Sequence, residues 1–424
     1  MKKVLIITYY WPPAGGPGVQ RWLKFVKYLP DFGIEPIVYI PENPSYPIID
    51  KSLLDEIPNG VIVLKQPIKE PYELASVFSR KSTKTISKGV IPKKKKQSLI
   101  ERILLFIRGN FFIPDARKAW VDPSVEFLSR YIAENNIETL ITTGPPHSLH
   151  LIGLQLKNEL NLKWLADFRD PWTTIGYHKK LKLTRSSALK HKELESSVLK
   201  GADRILVTSK VTKNEFQSIT NTPIDVITNG YDIEVQSAFS LDEKFTISHI
   251  GSLLSERNPQ ILWNVLSELV SEDPSFRNSF QLNLVGTVSE EILESINKNN
   301  LKAYTNVVGY VSHKEAIKLQ QQSQLLVLIE IDSEETKCII PGKLFEYMVS
   351  QRPILAFGPE GSDIKEIINE TNTGYYFSYS DKEFLKSTIM RYFDLYEQGA
   401  LHGDPSNIEK YSRRELTRVL AQLI

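Results

Sequence analysis

Glycine, histidine and aspartate recur in this sequence directly after short apolar runs. Gly15 and Gly16 lie in YYWPPAGGPG, behind the run Val4 to Thr8. Lacking a Cβ, glycine lets the backbone approach a phosphate or sugar closely, and Pro12, Pro13 and Pro17 equally suit a plain turn. His147 closes TTGPPH. A neutral imidazole there can hydrogen-bond a substrate hydroxyl, and its ordinary pKa permits proton exchange; an isolated histidine also reads as a cap or a structural group. Asp170, in ADFRDPW, can orient or deprotonate a hydroxyl. The competing accounts are an Asp170–Arg169 or Asp167–Arg169 pairing, or a turn before Pro171.

The elements that must position these groups alternate between short β-branched runs and longer helical patterns, which predicts an α/β fold of parallel sheets covered by helices. In the first half the strands are placed at Val4 to Thr8, Pro36–Ile40, Val61–Leu64, Thr139–Thr142, Trp164–Ala166, Ile205–Val207 and Ile224–Ile227. A helix is expected from about Val19, with Trp22, Leu23, Phe25, Val26 and Leu29 on one face. In the second half the strands are Thr246–His249, Gln281–Val285, Leu325–Ile329 and Ile354–Ala356. Helical patterns lie at about Pro259–Val270, Glu290–Asn297, Lys314–Gln321 and Lys343–Val349. Gly15, Gly16, His147 and Asp170 thus fall just past strands, where open α/β sheets bind ligands.

Charge divides the chain in the same place as the elements. The total is +2, from 52 Lys and Arg against 50 Asp and Glu over 424 residues. Residues 1–230 carry 34 basic and 22 acidic side chains, and residues 231–424 carry 18 and 28. With a length beyond one ordinary core, this predicts a first domain over 1–232, a hinge near Asn229–Ser240, a second domain over 240–400, and a last helical stretch over 405–424 packing back on the first. The 41% hydrophobic and 24% charged content excludes a disordered or collagen-like chain. A single cysteine, Cys338, excludes a disulfide framework or cysteine-based zinc cluster and fits a reducing cytoplasm. MKKVLIITYYWPP reads as a first buried strand rather than a secretion signal.

Neither a dinucleotide fingerprint nor a Walker loop is present: Gly15, Gly16 and Gly18 lack the third glycine and distal acid, and Gly342-Lys343 is followed by Leu344. Seven segments in order do carry a family pattern: YYWPPAGGPGVQR, IPDARKAW, TTGPPHSLHLIG, ADFRDPWT, VITNGYD, HIGSL and PGKLFEYMVSQRPILAF. The chain resembles a bacterial glycosyltransferase of family 4 with the GT-B fold. That resemblance implies two doubly wound, Rossmann-like parallel-sheet domains facing a cleft. It implies sugar transfer from a nucleotide-diphosphate sugar, held mainly by the second domain, to a saccharide or lipid-linked acceptor held mainly by the first, in surface polysaccharide or glycolipid synthesis.

On this pattern Arg257, six residues past Gly251, and Lys343, at the start of the helix bearing Glu346, correspond to basic residues around the donor phosphates. Gly15 and Gly16 join them as donor-binding residues, and Glu346 corresponds to a carboxylate on the ribose. His147 and Asp170 fall on the acceptor side as candidate catalytic residues. The sequence departs from the pattern twice. Ser252 stands where many relatives have Arg, and Cys338 stands where many retaining members have the first of two glutamates. Glu334 and Glu335 are nearby carboxylates, and the stereochemical outcome stays open at this point. No metal motif is seen and no cofactor is expected; basic residues can stabilise the diphosphate instead.

Residues 66–125 break the alternation and form a basic insertion. Residues 80–118 hold twelve Lys and Arg against two acids, including Lys93, Lys94, Lys95 and Lys96 ahead of SLIERILLFIRGNFFIP. Leu99, Ile103, Phe106 and Ile107 fall at near-helical spacing, and a second basic stretch runs from Lys179 to Lys192. A basic amphipathic helix reads as an interfacial element, here on the cytoplasmic face of a membrane, or as a helix covering the first domain's core. No nucleic-acid module accompanies the charge. A noncatalytic binding subunit on the same fold and a nucleotide-sugar epimerase are the alternatives to a transferase.

Overall fold

The computed structural model describes residues 1–70, 90–91, 99–232 and 240–424. These separate into two compact units: 1–70, 99–232 and 410–424 in the first, and 90–91 with 240–409 in the second.

The first unit is built on strands β1 (Lys2–Ile7), β2 (Ile34–Pro41), β3 (Ile62–Gln66), β5 (Thr139–Gly144), β6 (Lys163–Phe168), β7 (Arg204–Val207) and β8 (Ile224–Val226), with the short β4 (Val90–Ile91) belonging to the second unit. Its sheet runs in the order β3-β2-β1-β5-β6-β7-β8, with every neighbouring pair parallel. Period-two patterning sends Leu5 and Ile7 into one core and Val4 and Ile6 into the other. The helices Val121–Asn135 and Ser148–Glu159 cover the first face through Leu128, Ile132, Ile152 and Leu156. The opposite face is covered by Pro17–Tyr28, through Trp22, Phe25 and Val26, and by the last helix, Arg413–Leu423, through Leu416 and Leu420. The Lys2 ammonium donates to the Ile424 carbonyl at 2.6 Å, which fixes the end of that helix beside β1.

The second unit contains β9 (Phe245–Ile250), β10 (Phe280–Val285), β11 (Val288–Ser289), β12 (Thr305–Gly309), β13 (Leu325–Ile329), β14 (Ile354–Phe357) and β15 (Gly374–Phe377). Six of these form a parallel sheet in the order β12-β10-β9-β13-β14-β15, and β11 pairs with β4. Ile247, Leu282, Leu284, Val327 and Leu355 meet Leu262 and Leu266 of the helix Gln260–Glu272 and Ile389 and Phe393 of the helix Lys382–Glu397.

Both sheets are doubly wound. In the first, the winding reverses between β1 and β5; in the second, between β9 and β13. The crevice outside the carboxyl ends at such a reversal is where this architecture receives ligands. The first holds the loops with Gly15, Gly16 and His147, the second those leading to Arg257 and Lys343.

Candidate functional site

In the second unit, β9 is followed directly by Gly251, whose φ of 131° favours glycine. A Cβ built there would lie 2.6 Å from the Lys343 Nζ, so the bare glycine provides the slot that the ammonium occupies. Lys343 comes from a different element, the first turn of the helix Gly342–Val349. A cation in that position faces the positive end of a helix, in a half-buried place beside a second cation. Burial, then the Arg257 charge, push its pKa down to about 8, against the opposing pull of Glu330 and Glu346. The net effect of burial and the neighbouring guanidinium disfavours the charged lysine despite the two carboxylates.

Arg257 is anchored from below. The Glu330 carboxylate, directly after β13 and fully buried, accepts from Arg257 Nη2 at 3.0 Å and Nε at 3.3 Å. Its Oε1 also accepts from the Ile331 amide at 2.9 Å. Glu346, on the helix that carries Lys343, accepts from His313 Nε2 at 3.1 Å and Gln320 Nε2 at 3.2 Å. Burial would raise its pKa, but those contacts and Lys343 hold it below the ordinary glutamate value. Lys343, Arg257, Glu330 and Glu346 therefore form one charge cluster. Of the carboxylates considered as substitutes near Cys338, Glu334 is exposed and pairs with Lys337 at 2.7 Å. Cys338 itself is buried, its thiol against the Glu335 carbonyl at 3.6 Å.

In the first unit, His147 is 6% exposed and stacks on Trp172 with ring centres 4.8 Å apart and planes 4° apart. Both of its ring nitrogens are buried without a hydrogen-bond partner. Burial, reinforced by His150, Arg169, His178 and His191, lowers its pKa well below 6.5. The imidazole is held neutral near pH 7. What remains is a hydrogen-bonding group. His150 is neutral too, with a pKa of about 3 set by burial, and its Nδ1 meets Thr142 Oγ1 at 2.8 Å.

Asp170 is half-buried, and Tyr177 donates to its Oδ2 at 3.4 Å. Burial raises its pKa, with Arg169 and Tyr177 acting the other way. The Arg169 charge acts on both His147 and Asp170, and its Nε donates to the Gly144 carbonyl at 3.2 Å. The Asp167–Arg169 pairing considered above is not the one formed. Asp167 pairs with Arg21 at 2.9 Å, both wholly buried, and accepts from Trp22 Nε1 and Thr143 Oγ1 at 2.8 Å each. Arg21 Nη1 continues to the Thr228 carbonyl at 2.8 Å, so GVQR, TTG, ADFRD and VITN are joined in one buried network. IPDARKAW has a similar role: Asp115 accepts from the Ser148 amide and hydroxyl at 2.9 and 2.8 Å, capping the helix behind His147.

The two glycines differ. At Gly15 a Cβ would meet Ile48 Cγ2 at 2.9 Å and Asp50 Cβ at 3.2 Å, so packing accounts for this residue. At Gly16, with φ 104° just ahead of the helix Pro17–Tyr28, the space beside the backbone is open.

In the insertion, Lys93, Lys94, Lys95 and Lys96 lie outside the described residues. The helix Leu99–Phe111 leaves Ile103 57%, Phe106 40% and Phe111 72% exposed. Its end is fixed to the second basic stretch, because Asn110 Oδ1 accepts from the Thr184 amide at 2.7 Å and its Nδ2 donates to the Lys182 carbonyl at 3.3 Å. A Cβ at Gly109 would meet Leu183 and Leu181 at 2.7 and 2.8 Å. Apolar and basic side chains some seventy residues apart thereby share one surface. Among the described residues, no helix is long and apolar enough to cross a membrane, and no group of histidine, cysteine or carboxylate side chains could hold a metal.

Residues 244–394, within the second unit, match the family described as Glycosyl transferases group 1. HepE from Anabaena, solved in complex with UDP-glucose, superposes with a TM-score of 0.58 at 12% identity, over 100% of this chain and 99% of that one. The lipopolysaccharide outer core galactosyltransferase WaaB, in its apo form, gives 0.59 at 13%, over 100% and 99%. A putative UDP-N-acetylglucosamine 2-epimerase from Listeria monocytogenes gives 0.54 at 14%, over 100% and 96%. No curated protein matches the chain. The chain has the GT-B fold, and residues 244–394 of its second unit match the glycosyltransferase group 1 family.

Sequence reasoning missed Glu330, His313, Gln320 and Trp172. Only Glu330 left a trace, as an acid standing immediately after the apolar run LLVLI.

Proposed function

We propose that this chain transfers a sugar from a nucleotide-diphosphate donor to an acceptor hydroxyl, in surface polysaccharide or glycolipid synthesis. One observation carries the reading: inside a glycosyltransferase domain, Lys343 and Arg257 are held together at the winding reversal of the sheet, in a place that disfavours a cation unless an anion arrives. A diphosphate leaving group is that anion. The two cations neutralise the charge that grows on its oxygen as the bond to the anomeric carbon breaks. Glu346 receives the ribose hydroxyls after exchanging its contacts with His313 and Gln320.

In the first unit, Asp170 accepts the proton of the acceptor hydroxyl, its raised pKa making it a better base than an ordinary aspartate. His147 orients that hydroxyl as a neutral hydrogen-bond partner. Gly16 gives the acceptor or donor backbone-close access. Retention of the anomeric configuration is the family-like outcome, read by NMR of freshly formed product. The protein works on the cytoplasmic side, peripheral to the membrane through the Leu99–Phe111 surface and the Lys179 to Lys192 stretch.

A thermal-shift screen over UDP-, GDP- and ADP-sugars tests the donor reading, because a true donor stabilises the native state by binding it. Transfer to an acceptor must follow. Acceptor-independent conversion of the donor would point instead to an epimerase, the activity for which the Listeria protein of the same fold is named. Binding without turnover would point to a noncatalytic subunit.

A further inference from the structure

Glu330 is a paradox in an anion site. It places a buried negative charge beneath the two cations that would receive a diphosphate, and a carboxylate there repels such a ligand. Its hydrogen bonds give the opposite indication. They take up Arg257 Nε and Nη2, the same edge of the guanidinium, and leave Nη1 out of the pairing. A guanidinium gripped along one edge has a fixed plane, and planarity is what makes Arg a directional phosphate partner rather than a point charge. Arg257 sits in the loop after β9, outside any strand or helix, held in its backbone by a turn in which its amide donates to the Leu254 carbonyl at 2.8 Å. Glu330 follows directly on β13, the central strand next to β9, and its Oε1 is itself held by the Ile331 amide. The rigid part of the pair is the acid.

We propose that Glu330 is a positioning residue of the donor site, which holds the Arg257 guanidinium in the plane that receives the diphosphate while Lys343, seated in the Gly251 slot, supplies the second charge. This rests on the donor reading above and assigns to that site a residue and a slot it did not include. The Arg that the resemblance expects after Gly251 is replaced by Ser252, and Lys343 delivers a cation to the same place from another helix.

The groups facing Lys343 are Arg257, Glu330 and Glu346, together with the buried His249, whose pKa is lowered first by burial and next by Lys343. Removing Glu330 therefore takes away one of the two negative charges that keep Lys343 protonated. The pH at which binding fails on the alkaline side must move down.

The test is calorimetric binding of inorganic pyrophosphate and of UDP to the full chain, in a double-mutant cycle of Glu330→Ala and Arg257→Ala. Expected is a loss of about tenfold in affinity for Glu330→Ala, within the coupling range of residues that share one hydrogen-bond and ion-pair network. The same change in the Arg257→Ala background costs nothing further, and the alkaline limb of binding shifts to lower pH. A purely electrostatic acid predicts the reverse sign. Tighter or unchanged binding in Glu330→Ala overturns the proposal, as does an equal loss without Arg257. If Glu330→Ala does not fold, Glu330→Gln is read in the same cycle. Should the wild type bind neither probe, the donor reading falls and this proposal with it; binding by the wild type with no coupling sinks the positioning role alone.

Discussion

Lys343, the proposed donor-phosphate residue, is a cation held at a cost to the fold. An ordinary lysine keeps its proton to 10.5, and Lys343 keeps it only to about 8. Between those values the unfolded chain binds a proton that the folded chain lacks, so stability rises with pH across that window; below pH 8 the folded state bears the full cost of the buried charge. Lys343→Met should therefore stabilise the ligand-free protein at pH 7 by about 1–3 kcal/mol, less than the full shift implies because the site is partly open to solvent. Urea unfolding at pH 7 measures it, and the gain should shrink as the pH approaches 10. The same variant should lose its thermal shift with the donor. A variant that is destabilised, or that keeps the shift, would contradict the assignment. In the first unit, Asp170→Asn should abolish transfer while leaving donor affinity intact, and the acid limb of the wild-type rate should lie above the ordinary aspartate value of 3.8, because burial raises this carboxyl. His147→Ala should raise the acceptor KM. It should leave the pH profile without a change near 6.5, since the wild-type imidazole is already neutral there.

At the scale of elements, strands buried on both faces were legible in both sheets, and the edges were legible in the first sheet but not in the second. Val4 to Thr8 and Leu325–Ile329 are continuous apolar runs, as central parallel strands must be, and they reappear as β1 and β13. The edge strands β12 and β15 went unread. Thr305–Gly309 is half-exposed along its length, so its sequence mixes Asn with Val, and Gly374–Phe377 opens on a glycine. The candidate site divides in the same way. Lys343 and Arg257 could be proposed from sequence because one lies in the first turn of a recognisable helix and the other follows a recognisable strand. Glu330, His313 and Gln320 act through contacts 26 to 73 residues away in sequence, which no local pattern carries. The buried Arg21–Asp167 pair shows the converse: a motif visible in sequence can be held in place by architecture rather than chemistry. The exposed helix Leu99–Phe111 gives a prediction belonging to this scale. Ile103→Asp with Phe106→Asp should abolish binding to phosphatidylglycerol-containing vesicles. Folded stability should be unchanged, because both side chains already face solvent. Binding by the wild type should weaken as salt is raised; no binding at low ionic strength would remove the membrane reading.

For the whole molecule, the near-neutral charge conceals two differently charged halves, each with its own core and its own proposed site. The first core spans both faces of one sheet and is completed by the chain's last helix, whose Leu416, Leu420 and Ile424 join Val4, Ile6 and Trp22. The second is closed by Leu385, Ile389 and Phe393 over β9, β13 and β14 without help from that helix. Ligand and mutation should accordingly act on separate unfolding events. Leu420→Ala removes a fully buried side chain and should destabilise the first unit by about 2–5 kcal/mol, the range for leucine truncation in a packed core. A saturating donor sugar should instead raise the transition of the second unit alone, by the logarithm of its concentration over Kd. In scanning calorimetry, Leu420→Ala should lower one transition while the donor raises the other, and in the Lys343→Met variant the donor should move neither. A single transition displaced by both perturbations would mean that the units unfold as one, and the division of labour between a donor-holding and an acceptor-holding half would then have to be tested by binding alone.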